Sequence, residues 1–368
     1  MPKYFLIAGE PSGDMHAAKL IRELKKLDSN SEFIAFGGEI MKSEGAEIIF
    51  DYKKIAFMGF IEVFLNLPQI LSAMRKCKIA IRQIRPDAVI LIDYPGFNLK
   101  IAAFAKSIGL KVIYYISPQI WAWKENRVKK IKKHIDQMIC ILPFEADFYK
   151  KHQYTAYYYG HPLIDTIKEF RPDSQFAEKY KNRKVIAVLP GSRKQEVNRM
   201  FEVMTRVAEY FPEYHFILAI ASNIDVSLIE KFQLSENISM ESGKTYDIMK
   251  IADAGIIKSG TSALEAAIFN LPQVVCYKTS PITYRLARFF AKVSFISLVN
   301  LIANRKIVCE LIQHEMNAEN IKMELDKILT DDQYRQNMLN GCAEVITKLG
   351  DGTTSSRVAK RIEDFLKS

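Results

Sequence analysis

"KVIAVLPGSRKQEV", Lys184 to Val197, reads as an apolar strand, a Gly-Ser turn and a helix beginning near Gln195. "AGIIKSGTSALEAAIF", Ala254 to Phe269, repeats the pattern: a strand ending at Lys258, a Ser259-Gly260-Thr261 turn, and a helix from about Ala263. Working outward, β-branched runs alternate with amphipathic stretches along the whole chain. The first half offers "YFLIAG", "EFIAFGG", "AEIIFD", "DAVILIDY", "KVIYYIS" and "QMICILP"; the second adds "YHFILAI" and "QVVCYK". Several are apolar throughout, as strands covered on both faces of a parallel sheet should be. Between the two series, residues 157–184 lose the pattern at Gly160, Pro162 and Pro172, and the linker is assigned there. The expected fold class is α/β, with two doubly wound Rossmann-like domains, 1–165 and 180–345, facing across a cleft. Ligands of such sheets sit beyond the C-terminal strand ends, so residues there are the candidates.

The 368 residues suit two domains, and 49% apolar with 26% charged residues is globular composition. No short-period repeat or low-complexity tract appears. The start, "MPKYFLIAGE", is too short in apolar residues for a signal peptide or a membrane span, which predicts a cytoplasmic protein. Cysteines 77, 140, 276, 309 and 342 are scattered without a CxxC pair, which fits a reducing compartment and neither a zinc site nor a disulfide framework. A formal charge of +10 suggests an anionic partner: nucleic acid, an anionic membrane face or a phosphorylated substrate.

The two turns of the second half look like anion sites. Arg193 and Lys194 fall at a helix start, where the macrodipole disfavours cations unless an anion shares the site. Backbone N–H groups of Gly191 and Ser192 would join them. The local alternative is a surface turn with solvated charges. At the second turn, Ser262-x-x-Glu265 reads locally as a capping box. Functionally, Ser259, Gly260 and Thr261 would cradle phosphate and Glu265 would accept two ribose hydroxyls. There is no GxxxxGK[ST], GxGxxG or D-x-D, so no metal is expected, and arginine, lysine and helix N-termini must stabilise a departing diphosphate.

The first half presents carboxylates instead. "DAVILIDYPGFN" delivers Asp93 at a strand end, where it is either a general base or a turn-initiating cap. "GEPSGD", Gly9 to Asp14, has phosphate-loop geometry but carries Glu10 and Asp14 and no lysine. Such a loop repels phosphate and welcomes sugar hydroxyls. His161 in "YGHPL" follows the last strand of this half and is read as a secondary site residue. The stretch Ile55 to Leu71 is apolar but interrupted by Glu62, Asn66 and Pro68. Met58, Phe60, Ile61, Phe64, Leu65 and Leu67 form either a core helix or a surface for acyl chains and the bilayer boundary. The basic runs "MRKCKIAIRQIR" and "WAWKENRVKKIKKH" favour the second reading. The latter run could equally form a nucleic-acid patch, but no RNA or DNA module surrounds it.

"GEPSGD", "MGFIEVF", "DYPGFN", "SPQIWAWKENRVKKI", "PFE", "GHPL", "LPGSRKQEV", "SGTSALE" and "SLVNLIANRKIVCELIQ" occur in that order, from Gly9 to about Gln313. Together they resemble the lipid-A-disaccharide synthases, inverting glycosyltransferases of GT-B fold. The resemblance implies transfer of 2,3-diacylglucosamine from its UDP donor to 2,3-diacylglucosamine 1-phosphate (lipid X), giving UDP and a β(1→6) disaccharide 1-phosphate. It implies Asp93 as base, Arg193 as a diphosphate contact, and Ser259, Gly260, Thr261, Glu265, Asn300 and Glu310 on the donor side. It carries Glu10, Ser12 and Asp14 over to the acceptor side. Some relatives have Asp where this chain has Gly96, which concentrates the base assignment on Asp93. A C-terminal helix at about 350–368 returning to the first domain, a homodimer, peripheral seating on the cytoplasmic face of the inner membrane, and no cofactor are implied too. Two rivals stay open on sequence: another GT-B enzyme such as a UDP-N-acetylglucosamine epimerase, and a non-catalytic basic protein binding RNA or membrane.

Overall fold

The computed structural model describes residues 1–54, 66–221, 224, 229, 232, 234–290 and 293–368. The chain divides into two compact units, residues 1–165 with 350–368, and residues 166–349. The first contains a parallel sheet of β1 (Lys3–Ala8), β2 (Glu32–Gly37), β3 (Glu47–Asp51), β4 (Ala88–Ile92), β5 (Lys111–Tyr115), β6 (Gln137–Cys140) and β7 (Ala156–Tyr158). Their order is β3-β2-β1-β4-β5-β6-β7. Alternate residues feed two separate cores: Phe5, Ile7, Val89 and Leu91 on one face, Tyr4, Leu6, Ala8, Ile90 and Ile92 on the other. With helices on both faces, neither set of side chains has a reason to be polar.

The second unit holds β8 (Lys184–Leu189), β9 (Tyr214–Ile220), β10 (Ile238–Ser242), β11 (Ala254–Lys258), β12 (Gln273–Tyr277) and β13 (Cys309–Ile312), ordered β10-β9-β8-β11-β12-β13 and all parallel. In both units the central strand pair, β1 with β4 and β8 with β11, carries the sequence motifs to the carboxyl edge. The order reverses at those pairs, which are the switch points where such sheets bind ligands.

Three strands escaped the sequence reading: β7, β10 and β13. The expected linker is also structured: it takes in the end of β7, a helix Pro162–Glu169 and a second helix Ser174–Lys179 that Asp173 caps through Gln175 N and Phe176 N. Pro162 starts the first of these helices, so the proline read as a break is an initiator. The helix Thr354–Lys367 puts Val358, Ala359 and Ile362 into the first unit's core against the helix Pro11–Leu27. Asp165 holds its start by accepting Thr354 N at 3.2 Å and Ser355 N at 2.7 Å.

Of the apolar stretch, Met58, Phe60, Ile61, Phe64 and Leu65 lie outside the described residues. Leu67 opens the helix Leu67–Ile84 and is exposed, as are Leu71 and Ile79. Among the described residues no helix is long and apolar enough to cross a membrane.

Candidate functional site

In the second unit β8 ends at Leu189, and Gly191 turns the chain with φ of +109°, a conformation glycine adopts without strain. The helix Lys194–Arg206 follows, with Arg193 at its N-cap. The other turn leads into the helix Thr261–Ile268 capped by Gly260. That helix begins at Thr261 and not near Ala263, which puts Ser262 inside the first turn, and no side chain caps it. The capping box is therefore absent. Glu265 instead accepts the Tyr246 hydroxyl at 2.9 Å, and burial raises its carboxyl above the usual range.

Both turns open on one cavity of about 700 Å³. Gly191, Ser192, Arg193, Gly260, Thr261 and Glu265 line it, which unites six of the sequence candidates. Lys258, Glu196, Tyr246 and Phe170 line it too and were not among those candidates. Lys258 immediately precedes the Ser-Gly-Thr turn, and that adjacency was the signal for it. Phe170 packs edge-on against Tyr246 at 5.4 Å, giving the cavity an aromatic wall. Two helix starts, two cations and a carboxylate–phenol pair can hold a diphosphate and a diol together.

Ser259, Asn300 and Glu310 do not line this cavity. The Asn300 amide donates to Val308 O at 3.0 Å and to Glu310 at 2.8 Å, and its oxygen accepts Ile307 N and Val308 N. Its hydrogen-bonding capacity is thus used internally, and it is fully buried. Glu310 also accepts Ile296 N at 3.0 Å and Ser297 N at 2.9 Å. Ser259 donates to Ile296 O at 3.1 Å. These three residues form a clasp that ties the turn after β11 to the start of the helix Leu298–Ala303 and to β13. Asn300 and Glu310, expected on the donor side, are thus placed in this clasp and not among the residues that line the cavity.

In the first unit Asp93 follows β4 with φ of +45°, and Tyr94 follows with +47°. Two consecutive non-glycine residues in the left-handed region store strain. The turn is held through the backbone of Asp93: its N donates to Tyr115 O, while its O accepts Asn98 Nδ2 at 2.8 Å and the Tyr114 hydroxyl. Asn98, the last residue of "DYPGFN", is a positioning group that the reading overlooked. Gly9 is required next door, since a Cβ there would come within 2.3 Å of the Tyr94 ring. β1 pairs with β4 so that Ala8 opposes Ile92, which sets Glu10 beside Asp93. Burial first, then the Glu10 charge and a hydrogen bond between the two side chains, push the Asp93 carboxyl up to about 7. Gly96 needs no such explanation: a Cβ there meets nothing within 4 Å.

Ser12 is exposed in the first turn of the helix Pro11–Leu27, as an acceptor contact requires. Asp14 is not at the rim. It is 1% exposed, and its carboxylate accepts Gly38 N at 2.8 Å, Ile40 N at 3.2 Å and Met41 N at 3.3 Å, capping the helix Glu39–Ser43. His161 is corrected likewise: it is buried, its Nδ1 accepts Leu163 N at 3.1 Å, and burial lowers its pKa to about 3, which keeps it neutral. Glu145 of "PFE" is also internal, accepting the Trp121 indole N–H and Ile141 and Leu142 N–H.

The lipid-A-disaccharide synthetase family matches residues 4–361. The chain is 36% identical to the lipid-A-disaccharide synthase of Myxococcus xanthus over 374 residues, covering 99% of this chain and 98% of that one. It is also 36% identical to the Geobacter metallireducens synthase, covering 99% and 97%. Among solved structures, a UDP co-structure of S. aureus MnaA aligns with a TM-score of 0.71 at 14% identity, covering 100% and 97% of the two chains. The UDP-GlcNAc 2-epimerase of Neisseria meningitidis bound to UDP-GlcNAc aligns at 0.70 and 13%, covering both chains completely. These structural likenesses speak for the two-sheet fold alone.

Proposed function

The chain belongs to the lipid-A-disaccharide synthetase family, and from that premise we propose how its residues divide the reaction. The activity is glycosyl transfer in lipid A biosynthesis. The donor is UDP-2,3-diacylglucosamine and the acceptor 2,3-diacylglucosamine 1-phosphate. Its nucleotide occupies the second unit's cavity, the diphosphate on Arg193, Lys258 and the two helix starts, the ribose diol on Glu265. Asp93 accepts the proton of the acceptor 6-hydroxyl as that oxygen attacks the anomeric carbon and UDP leaves with inversion. Glu10 and Ser12 contact the acceptor sugar. The observation that carries this reading is the gathering of Arg193, Lys258 and Glu265 with both turns around one cavity.

The transfer is proposed to need no metal, since the leaving diphosphate meets two cations and two helix N-termini. UDP release from both diacylated substrates tests the whole scheme. Release that requires both lipids and persists in EDTA supports it, whereas release from the donor alone would favour epimerase-like or hydrolytic chemistry.

The pH dependence follows from the carboxylate pair. The base must be ionised, so with Asp93 near 7 the value of kcat/KM should rise about tenfold per pH unit below neutrality and level off above it. Glu10 raises the Asp93 pKa, so Glu10→Gln should move this limb to lower pH. An unmoved limb in a pH–rate series on that variant would uncouple the two groups.

We also propose peripheral seating on the cytoplasmic face of the inner membrane, and a homodimer. Leu67 and Leu71 are exposed one turn apart on the helix Leu67–Ile84, which also carries Arg75, Lys76 and Lys78. Cosedimentation with anionic vesicles should weaken on combining Leu67→Ser with Leu71→Ser, and analytical ultracentrifugation reads the dimer.

A further inference from the structure

Glu196 sits in the first turn of the helix Lys194–Arg206, inside the donor cavity. One of its oxygens, Oε1, receives Lys258 Nζ at 2.8 Å and Arg193 Nη1 at 3.1 Å. The other lies over the turn itself: a Cβ on Gly191 would come within 2.7 Å of Oε2. A single carboxylate thus takes both cations assigned to the diphosphate and covers the glycine whose bareness opens the turn. The Lys258 and Glu196 side chains are only 14% and 17% exposed, so water screens their pairing less than it would a surface pair. A first-turn acid suits the helix macrodipole anyway. That preference, however, needs neither cation and gives no reason for both to converge on one oxygen.

A nucleoside diphosphate presents the same chemistry as Glu196, anionic oxygens seeking N–H donors, with more charge. Both cannot hold Arg193 and Lys258 at full strength, and the two anions repel each other in a partly enclosed site. We propose that Glu196 is an exchangeable counter-ion for the diphosphate. It keeps Arg193 and Lys258 aimed into the cavity before the donor binds, yields them when it does, and takes them back as UDP leaves. The inference rests on the donor-site reading of the cavity. Its consequence is a deliberately moderated affinity for UDP, the product that must depart before the next turnover.

The test is calorimetric titration of the full-length protein with UDP and with uridine. Glu196→Gln keeps the size and an acceptor oxygen but removes the charge. The expected result is UDP binding tightened about tenfold with uridine binding unchanged, since only the phosphates compete with Glu196. Glu196→Ala, compared at equal folded fraction by circular dichroism, should shift in the same direction. Unchanged or weaker UDP binding in both variants would overturn the proposal and leave Glu196 as a helix-start acid that positions the cations. Failure of the underlying reading looks different. In that case the wild type binds no UDP, or Arg193→Ala combined with Lys258→Ala leaves UDP affinity untouched.

Discussion

Asp93→Asn should lower kcat by about 10²–10⁴-fold, the usual contribution of a positioned general base, while UDP affinity stays the same. The substitution is conservative in shape. The bonds that hold the turn run through the backbone of residue 93, to Tyr115, Asn98 and Tyr114, and asparagine preserves them. The loss therefore reports on chemistry and not on folding. Full activity in the variant would transfer the base role to another group, with Glu10 the adjacent candidate. A thermodynamic signature accompanies the kinetic one. Asp93 titrates near 7 in the folded protein and near 3.8 when unfolded, so the folded state holds the proton more tightly between those values. Its contribution to stability is fully present below about 3.8 and is lost as pH rises through about 7. Asp93→Asn removes that loss, so the variant should melt above the wild type at pH 8, with the difference shrinking towards pH 4. An enzyme that is stabilised by losing its base keeps a buried charge for function.

What the sequence made legible was whatever is enforced locally. Strands buried on both faces must be apolar at successive buried positions, so β1, β4, β5 and β8 announce themselves after at most one opening lysine. The strands that were missed, β7, β10 and β13, are short and lie at sheet edges, where Ser242 and Glu241 can point away from any core. Glycine turns at Gly191 and Gly260 were readable because the backbone needs them. The direction of a polar side chain was not. Asp14, His161, Asn300 and Glu310 sit in motifs that look chemical, yet each accepts from backbone N–H groups within its own unit. Nor does spacing disclose that Glu196 and Lys258, 62 residues apart, meet at 2.8 Å, or that Glu10 reaches Asp93. Those contacts depend on β8 lying beside β11 and β1 beside β4, a topology fixed only when the sheet assembles.

Asp14→Ala separates the two meanings such a motif can have. As an acceptor contact, Asp14 would raise the KM for the lipid acceptor when removed and leave the melting temperature alone. As the buried cap described above, its 1% exposed side chain satisfies three backbone donors, Gly38, Ile40 and Met41, of which Gly38 and Met41 are buried. Leaving a buried donor unpaired costs about 1–3 kcal/mol, and partial relaxation makes the sum roughly 3–5 kcal/mol of the 5–15 kcal/mol typical of a domain. For a unit of this size that corresponds to a melting temperature lower by on the order of 10 °C. Gly38 tightens the expectation, because a Cβ at that position would fall 2.6 Å from Asp14 Oδ2, so the carboxylate reaches these donors only beside a glycine. Asp14→Asn, which keeps one acceptor oxygen, should recover part of the loss. Calorimetric melting of both variants, with acceptor KM measured at a temperature where each is folded, decides the matter. A large drop in stability at near-normal KM identifies a cap, and a raised KM at unchanged melting temperature would return Asp14 to the acceptor site.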